Sequence, residues 1–104
     1  DGFIISPAEG TESQIQKIIE QKVPLVLIDR FFPGIATNSV ILDNYQSTYE
    51  ATTFLINKGY KNIAIVVYKT SLIHMKERVR GYYEAMMHSD LAGNINIIRI
   101  NLIT

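Results

Sequence analysis

Apolar positions fall into short runs and helically spaced sets that alternate along this chain, and the breaks between them are polar or carry Gly and Pro. Residues 2–6 form an apolar run bounded by Pro7 and Gly10, which predicts a strand. Ile15, Ile18 and Ile19 then recur at helical spacing behind Thr11, a suitable N-cap. That helix should end near Lys22, because Pro24 disfavours helix at the residue before it. Residues 25–28 are continuously apolar, as expected of a strand covered on both faces. Asp29 and Arg30 close this strand, and residues 31–34 read as a loop. A short third strand is expected at 40–42. Asp43 or Asn44 can cap the next helix, whose face carries Tyr45, Tyr49, Thr52, Leu55 and Ile56, and Gly59 suits its C-terminal turn. Residues 63–67 predict a fourth strand. A further helix starts near Ile73 and carries Val79, Tyr82, Tyr83, Met86 and Met87, with Gly81 as a weak spot inside it. A turn at 91–94 leads to a fifth strand at 95–100. Strands alternating with helices predict an α/β fold with parallel pairing and right-handed crossovers.

Composition narrows the function classes. The chain has 104 residues, 47% of them hydrophobic, which suffices for a small core. Lys plus Arg number 10 and Asp plus Glu number 10, and no basic run stands out, so this stretch lacks the footprint of a free-standing nucleic-acid binder. No cysteine is present, which excludes disulfides and thiolate metal sites and suits the cytoplasm. No apolar run approaches the about 20 residues of a membrane span, so no membrane partner is expected. Both ends read as strand-like and apolar, which leads us to expect the middle of a longer protein.

The candidate chemistry sits at strand ends. Asp29 follows an apolar strand, where a carboxylate can accept two hydroxyl hydrogen bonds from a polyol; it could equally cap a turn or pair with Arg30, and position alone leaves both readings open. Asp43 and Asn44 could line a hinge, but helix capping demands the same chemistry. Arg78 and Arg80 diverge by about 200° around a helix, so at most one faces a given site, and Glu77 and Glu84 are ready neighbours. Phe31, Phe32 and Tyr68 could stack on a sugar face, and the two phenylalanines could instead shield the core edge. His74 and His88 are isolated and show no metal-ligand spacing. Neither a nucleophile motif nor a glycine-rich phosphate loop occurs, so neither an enzyme nor a cofactor is expected.

Five stretches together resemble the lactose/galactose repressor family of bacterial transcription regulators. DGFIISP at 1–7 resembles the family's DGIIISP, and PLVLIDR at 24–30 resembles PVVLIDR. VILDN at 40–44 resembles VVVDN, ATTFLINKGYKNIA at 51–64 resembles A..HLI..GHRRIA, and RVRGYYEA at 78–85 resembles R..GYREA. They run in the family's order over nearly the whole chain. Ser47 and Tyr60 depart from the usual Gly and His, and residues 67–70 lack the glycines common there.

The resemblance implies part of a periplasmic-binding-protein-like (type I) effector domain. Residues 1–43 would belong to the N-terminal lobe and 44–104 to the C-terminal lobe, with Asp43 and Asn44 at the crossover. It implies a small effector, a sugar or sugar derivative, held in an interlobe cleft by Asp29 and Arg78, with Phe31 and Tyr68 as further cleft-lining candidates. It also implies a cytoplasmic homodimer whose operator affinity the effector alters through an N-terminal helix-turn-helix outside this sequence. Three rivals remain: a periplasmic sugar-binding transport protein of the same fold, a doubly wound enzyme with Asp29 as general base, and a dimerisation module using Tyr45, Tyr49, Tyr82 and Tyr83.

Overall fold

A computed structural model of the chain describes residues 1–101 and divides into two compact units, residues 1–42 and from Asp43 onward. The apolar run read from the sequence continues to Thr104, and its last three residues lie outside the described ones.

The first unit is a three-stranded parallel sheet in the order β1 (Phe3–Ile5), β2 (Leu25–Ile28), β3 (Asn38–Val40), with helix α1 (Glu12–Glu20) crossing from β1 to β2. Phe3 pairs with Leu25 and Leu27 with Ser39. Leu25 and Leu27, two residues apart, point to the same face and pack with Ile15 of α1 and Phe32. Val26 and Ile28, on the other face, are half-buried. Thr11 precedes α1 as expected, but its hydroxyl donates to the Ala8 carbonyl at 2.7 Å and does not cap the helix. The third strand is shifted towards the N-terminus relative to the expected 40–42. The parallel register on β2 pairs Asn38–Val40, and the Asp29 N–H donates to the Val40 carbonyl at 3.0 Å at the end of the ladder, leaving Ile41 and Leu42 exposed.

The second unit contains α2 (Asn44–Asn57), β4 (Ala64–Tyr68), α3 (Ile73–His88), a 3-10 turn (Ala92–Asn94) and β5 (Asn96–Ile100). β4 and β5 are parallel, with Val67 opposite Arg99. Alternation puts Ile65 and Val67 on the covered side of β4, whereas Val66 and Tyr68 are exposed. Tyr82 and Met86 of α3 form the core with Ile63. The Tyr82 hydroxyl donates to the Ile63 carbonyl and accepts from the Asn96 N–H at 2.9 Å, tying α3 to the starts of both strands. Helix α2 ends as its sequence predicts. Gly59 takes φ 99°, its N–H donates to the Ile56 carbonyl at 2.9 Å, and the Tyr60 N–H reaches the Leu55 carbonyl at 3.3 Å, the paired bonds of a Schellman turn.

Gly81 is a contact point between helices, which corrects its reading as a weak spot. A Cβ there would run into the Tyr45 carbonyl and lie 3.0 Å from the Tyr49 nitrogen and 3.2 Å from the Thr48 Cβ. Only glycine lets α3 approach α2 so closely.

Candidate functional site

In the second unit the start of α2, the ends of β4 and β5, and the first half of α3 gather at one end. This follows from the parallel βαβ order, and the carboxyl ends of the strands are where open α/β sheets bind ligands. Asp43 opens α2: its Oδ1 accepts the Gln46 N–H at 3.0 Å, and its carbonyl accepts the Ser47 hydroxyl at 2.8 Å. Of the two capping candidates, Asp43 is therefore the cap. Asn44 is released for another task. It is only 7% exposed, and its Oδ1 accepts the Nε–H of Arg78 at 3.0 Å.

Arg78 and Arg80 sort themselves by helix geometry. Arg80 is held by Glu77 at 2.6 Å, lies 3.7 Å from Glu84, and stacks 3.7 Å above the Tyr45 ring. The Glu77 hydrogen bond raises its pKa, with the Glu77 and Glu84 charges adding to the effect. The Tyr45 hydroxyl donates to Glu84, which is the main reason its own pKa rises above 10.0. Arg80 thus serves the packing of α2 on α3. Arg78 engages only its Nε among the described residues, so its two terminal nitrogens point their donors outward in a fixed fork.

Asp29 lies in the first unit at the end of β2. It takes φ 67°, and the following Arg30 N–H donates to the Ile28 carbonyl at 2.8 Å, closing a γ-turn of the rarer, positive-φ kind around the aspartate. The expected alternative of an Asp29–Arg30 pair is not what forms. Arg30 donates to the Pro7 carbonyl at 3.4 Å, and the exposed Asp29 carboxylate has no partner among the described residues. The aromatics that follow divide: Phe32 is buried in the core, while Phe31 is half-buried.

Tyr68, 46% exposed at the end of β4, borders a hollow of about 340 Å³ within the second unit. Thr70, Lys76, Arg80 and Arg99 also line it, over an apolar floor of Val67, Met75 and Val79. The Thr70 hydroxyl accepts the Leu72 N–H at 3.2 Å and so fixes the loop that starts α3. The sequence reading missed Lys76 and Arg99. The signal was present in NIIRI at 96–100, where a single cation interrupts an apolar strand. The four tyrosines offered for a dimer contact are mostly engaged internally. Tyr82 is in the core, Tyr45 holds Glu84, and Tyr49 meets His88 at 2.9 Å.

The similarities agree with this architecture. The HTH-type transcriptional regulator GalR of Escherichia coli (strain K12) is 28% identical over 84% of this chain, and catabolite control protein A of Priestia megaterium is 32% identical over 88% of it. The chain spans only 25% and 28% of those two proteins. A regulatory protein of the LacI family from Chloroflexus aggregans superposes with a TM-score of 0.76 at 30% identity, covering 93% of this chain and 36% of that one. The fold is therefore a partial periplasmic-binding-protein-like α/β domain with parallel strands. The family described as periplasmic binding proteins and sugar binding domain of the LacI family matches residues 1–102, and this chain belongs to it.

Proposed function

We propose that the chain is part of the effector-sensing domain of a bacterial DNA-binding transcriptional regulator. In this reading it binds a small sugar-like ligand and thereby alters operator affinity, by a population shift between states of different ligand affinity. GalR is named an HTH-type transcriptional regulator and the superposed Chloroflexus aggregans structure a regulatory protein of the LacI family, which supports this reading over a transport protein of the same fold. A non-catalytic, cytoplasmic homodimer that contacts DNA through a separate helix-turn-helix is part of the same proposal, and the HTH-type name of the GalR relative supports its last element. Residues 1–43 and 44–104 are proposed as parts of its two lobes, with Asp43 and Asn44 at the crossover.

Asp29 and Arg78 are the proposed ligand-binding residues, with Phe31 and Tyr68 as lining residues. The observation that carries the assignment is the Arg78 guanidinium, fixed through Nε by the buried Asn44 and presenting two nitrogens outward. Ordering those donors in advance lowers the entropy lost when they meet ligand oxygens. The positive φ of Asp29 adds support, because strained backbone tends to persist where function requires a side chain to be aimed.

The test is a thermal-shift screen of sugars on the intact protein, repeated with Asp29→Asn and Arg78→Lys. Asn tolerates the positive φ while removing the charge, and Lys keeps the charge while losing the fork. Each substitution should weaken the ligand-induced shift, by about tenfold in affinity. Asp29→Asn should leave the ligand-free melting temperature nearly unchanged, whereas Arg78→Lys should lower it by a few degrees because the buried Asn44 Oδ1 loses its Nε–H donor. An unaltered ligand shift in both variants rejects the assignment.

A further inference from the structure

We infer that the ligand carries an anionic group, a phosphate or carboxylate, seated in the hollow at the end of β4; this rests on the sugar-effector reading above. The hollow, at about 340 Å³, falls at the small end of ligand sites. Among the described residues three cations line it, Lys76, Arg80 and Arg99, and no acidic residue does. Their situations differ. Glu77 and Glu84 balance Arg80, which forms a fixed wall. Lys76 and Arg99 have no carboxylate partner among the described residues, so two positive charges face the same space uncompensated.

Arg99 is the more informative of the two. In β5 it sits two residues after Ile97, on the same face, and opposite the buried Val67 in register. Ile97 packs against the Tyr82 and Met86 core. A packing role would call for another apolar residue at this position, as at Ile65 and Val67 of the neighbouring strand. A guanidinium there provides a planar donor fork for an oxyanion. Val67, Met75 and Val79 beneath it reduce local solvation, which strengthens charge–charge attraction. The hydroxyl of Tyr68 adds a neutral polar group suited to a remaining oxygen.

The experiment titrates the intact protein with neutral hexoses, the corresponding hexose phosphates and hexuronic acids, and inorganic phosphate alone. It is repeated with the double variant Lys76→Gln/Arg99→Gln and with Lys61→Gln as a charge control on an exposed residue away from the hollow. A hexose phosphate or uronate should bind more tightly than its neutral parent, and the advantage should shrink as salt is raised. The double variant should lose about tenfold or more in affinity for the anionic sugar, while Lys61→Gln retains it. Neutral hexoses binding as tightly as their anionic counterparts, with sensitivity to Arg78→Lys, would overturn the anion assignment and leave the effector reading standing. Anionic-sugar binding that survives the double substitution would do the same. Inorganic phosphate binding as tightly as every sugar ester would overturn the link to a sugar. No response to any sugar would overturn both readings.

Discussion

The first unit builds its core from aliphatic and aromatic carbon alone, with Ile15, Leu25, Leu27 and Phe32 gathered under one helix. The second packs α3 against α2 and the strands and places bonded polar atoms within and between these elements. Tyr82 bonds to two backbone groups, Asn44 holds Arg78, Thr52 donates to the Thr48 carbonyl at 2.8 Å, and Gly81 permits the approach. Apolar packing is non-directional and tolerates adjustment, whereas hydrogen-bonded contacts and a helix crossing at glycine require one arrangement. The second unit is thus the better specified of the two. It also carries the oriented arginine and the basic hollow, both of which depend on fixed geometry.

The comparison can be broken first at Leu27, which is fully buried. Leu27→Ala should cost about 2–5 kcal/mol by transfer and cavity terms. Hydrogen exchange should show residues 1–42 losing protection while α2 and α3 retain theirs; equal loss in both would show a single cooperative unit. Next is Gly81→Ala, which drives a methyl into the backbone of α2 and should cost about 1–3 kcal/mol in denaturant unfolding. Gly34→Ala, where an added Cβ meets nothing within 4 Å, should stay within about 0.5 kcal/mol. Comparable costs at the two glycines would remove the distinction drawn between the units.

Tyr82→Phe sharpens the polar side of the contrast. It keeps the ring and strands the Ile63 carbonyl and the Asn96 N–H, so a loss of about 1–2 kcal/mol is expected from chemical denaturation. The smallest effect is a pH dependence. The Tyr45 pKa is raised in the folded state, chiefly by its hydrogen bond to Glu84, so folding favours the protonated phenol. That stabilisation is complete below the ordinary value of 10.0 and is lost as pH rises through the raised one. Tyr45→Phe should flatten the fall in melting temperature above about pH 10; an identical slope in both proteins would leave the bond without energetic weight.

Much of the architecture could be read from residue pattern because its causes are local. The run at 25–28, the isoleucines at 15, 18 and 19, and Gly59 behind α2 each act over a few residues, and each marks its element to within a short distance. The third strand was misplaced because residues 40–42 are apolar, while pairing is decided by β2 across the sheet. Phe31 and Phe32 are identical in chemistry and adjacent in sequence, so only packing could send Phe32 inward. Gly81 looked like a defect because helix propensity does not register a neighbouring helix.

The same division holds for the candidate site. Asp29 and Arg78 were visible through family resemblance, and Asn44 was visible as a residue able to cap. That Asp43 takes the cap and leaves Asn44 to orient Arg78 depends on a bond spanning 34 positions. By itself the sequence determined the order of strands and helices, the parallel α/β class and the family, since these follow from short-range periodicity and local motifs. Tertiary structure alone decided which of two neighbouring arginines is bound up in packing and which is presented, and that Arg99 joins Lys76 around one hollow. The physical reason is that charge pairing and close approach are set by distances in space, which chain separation does not encode.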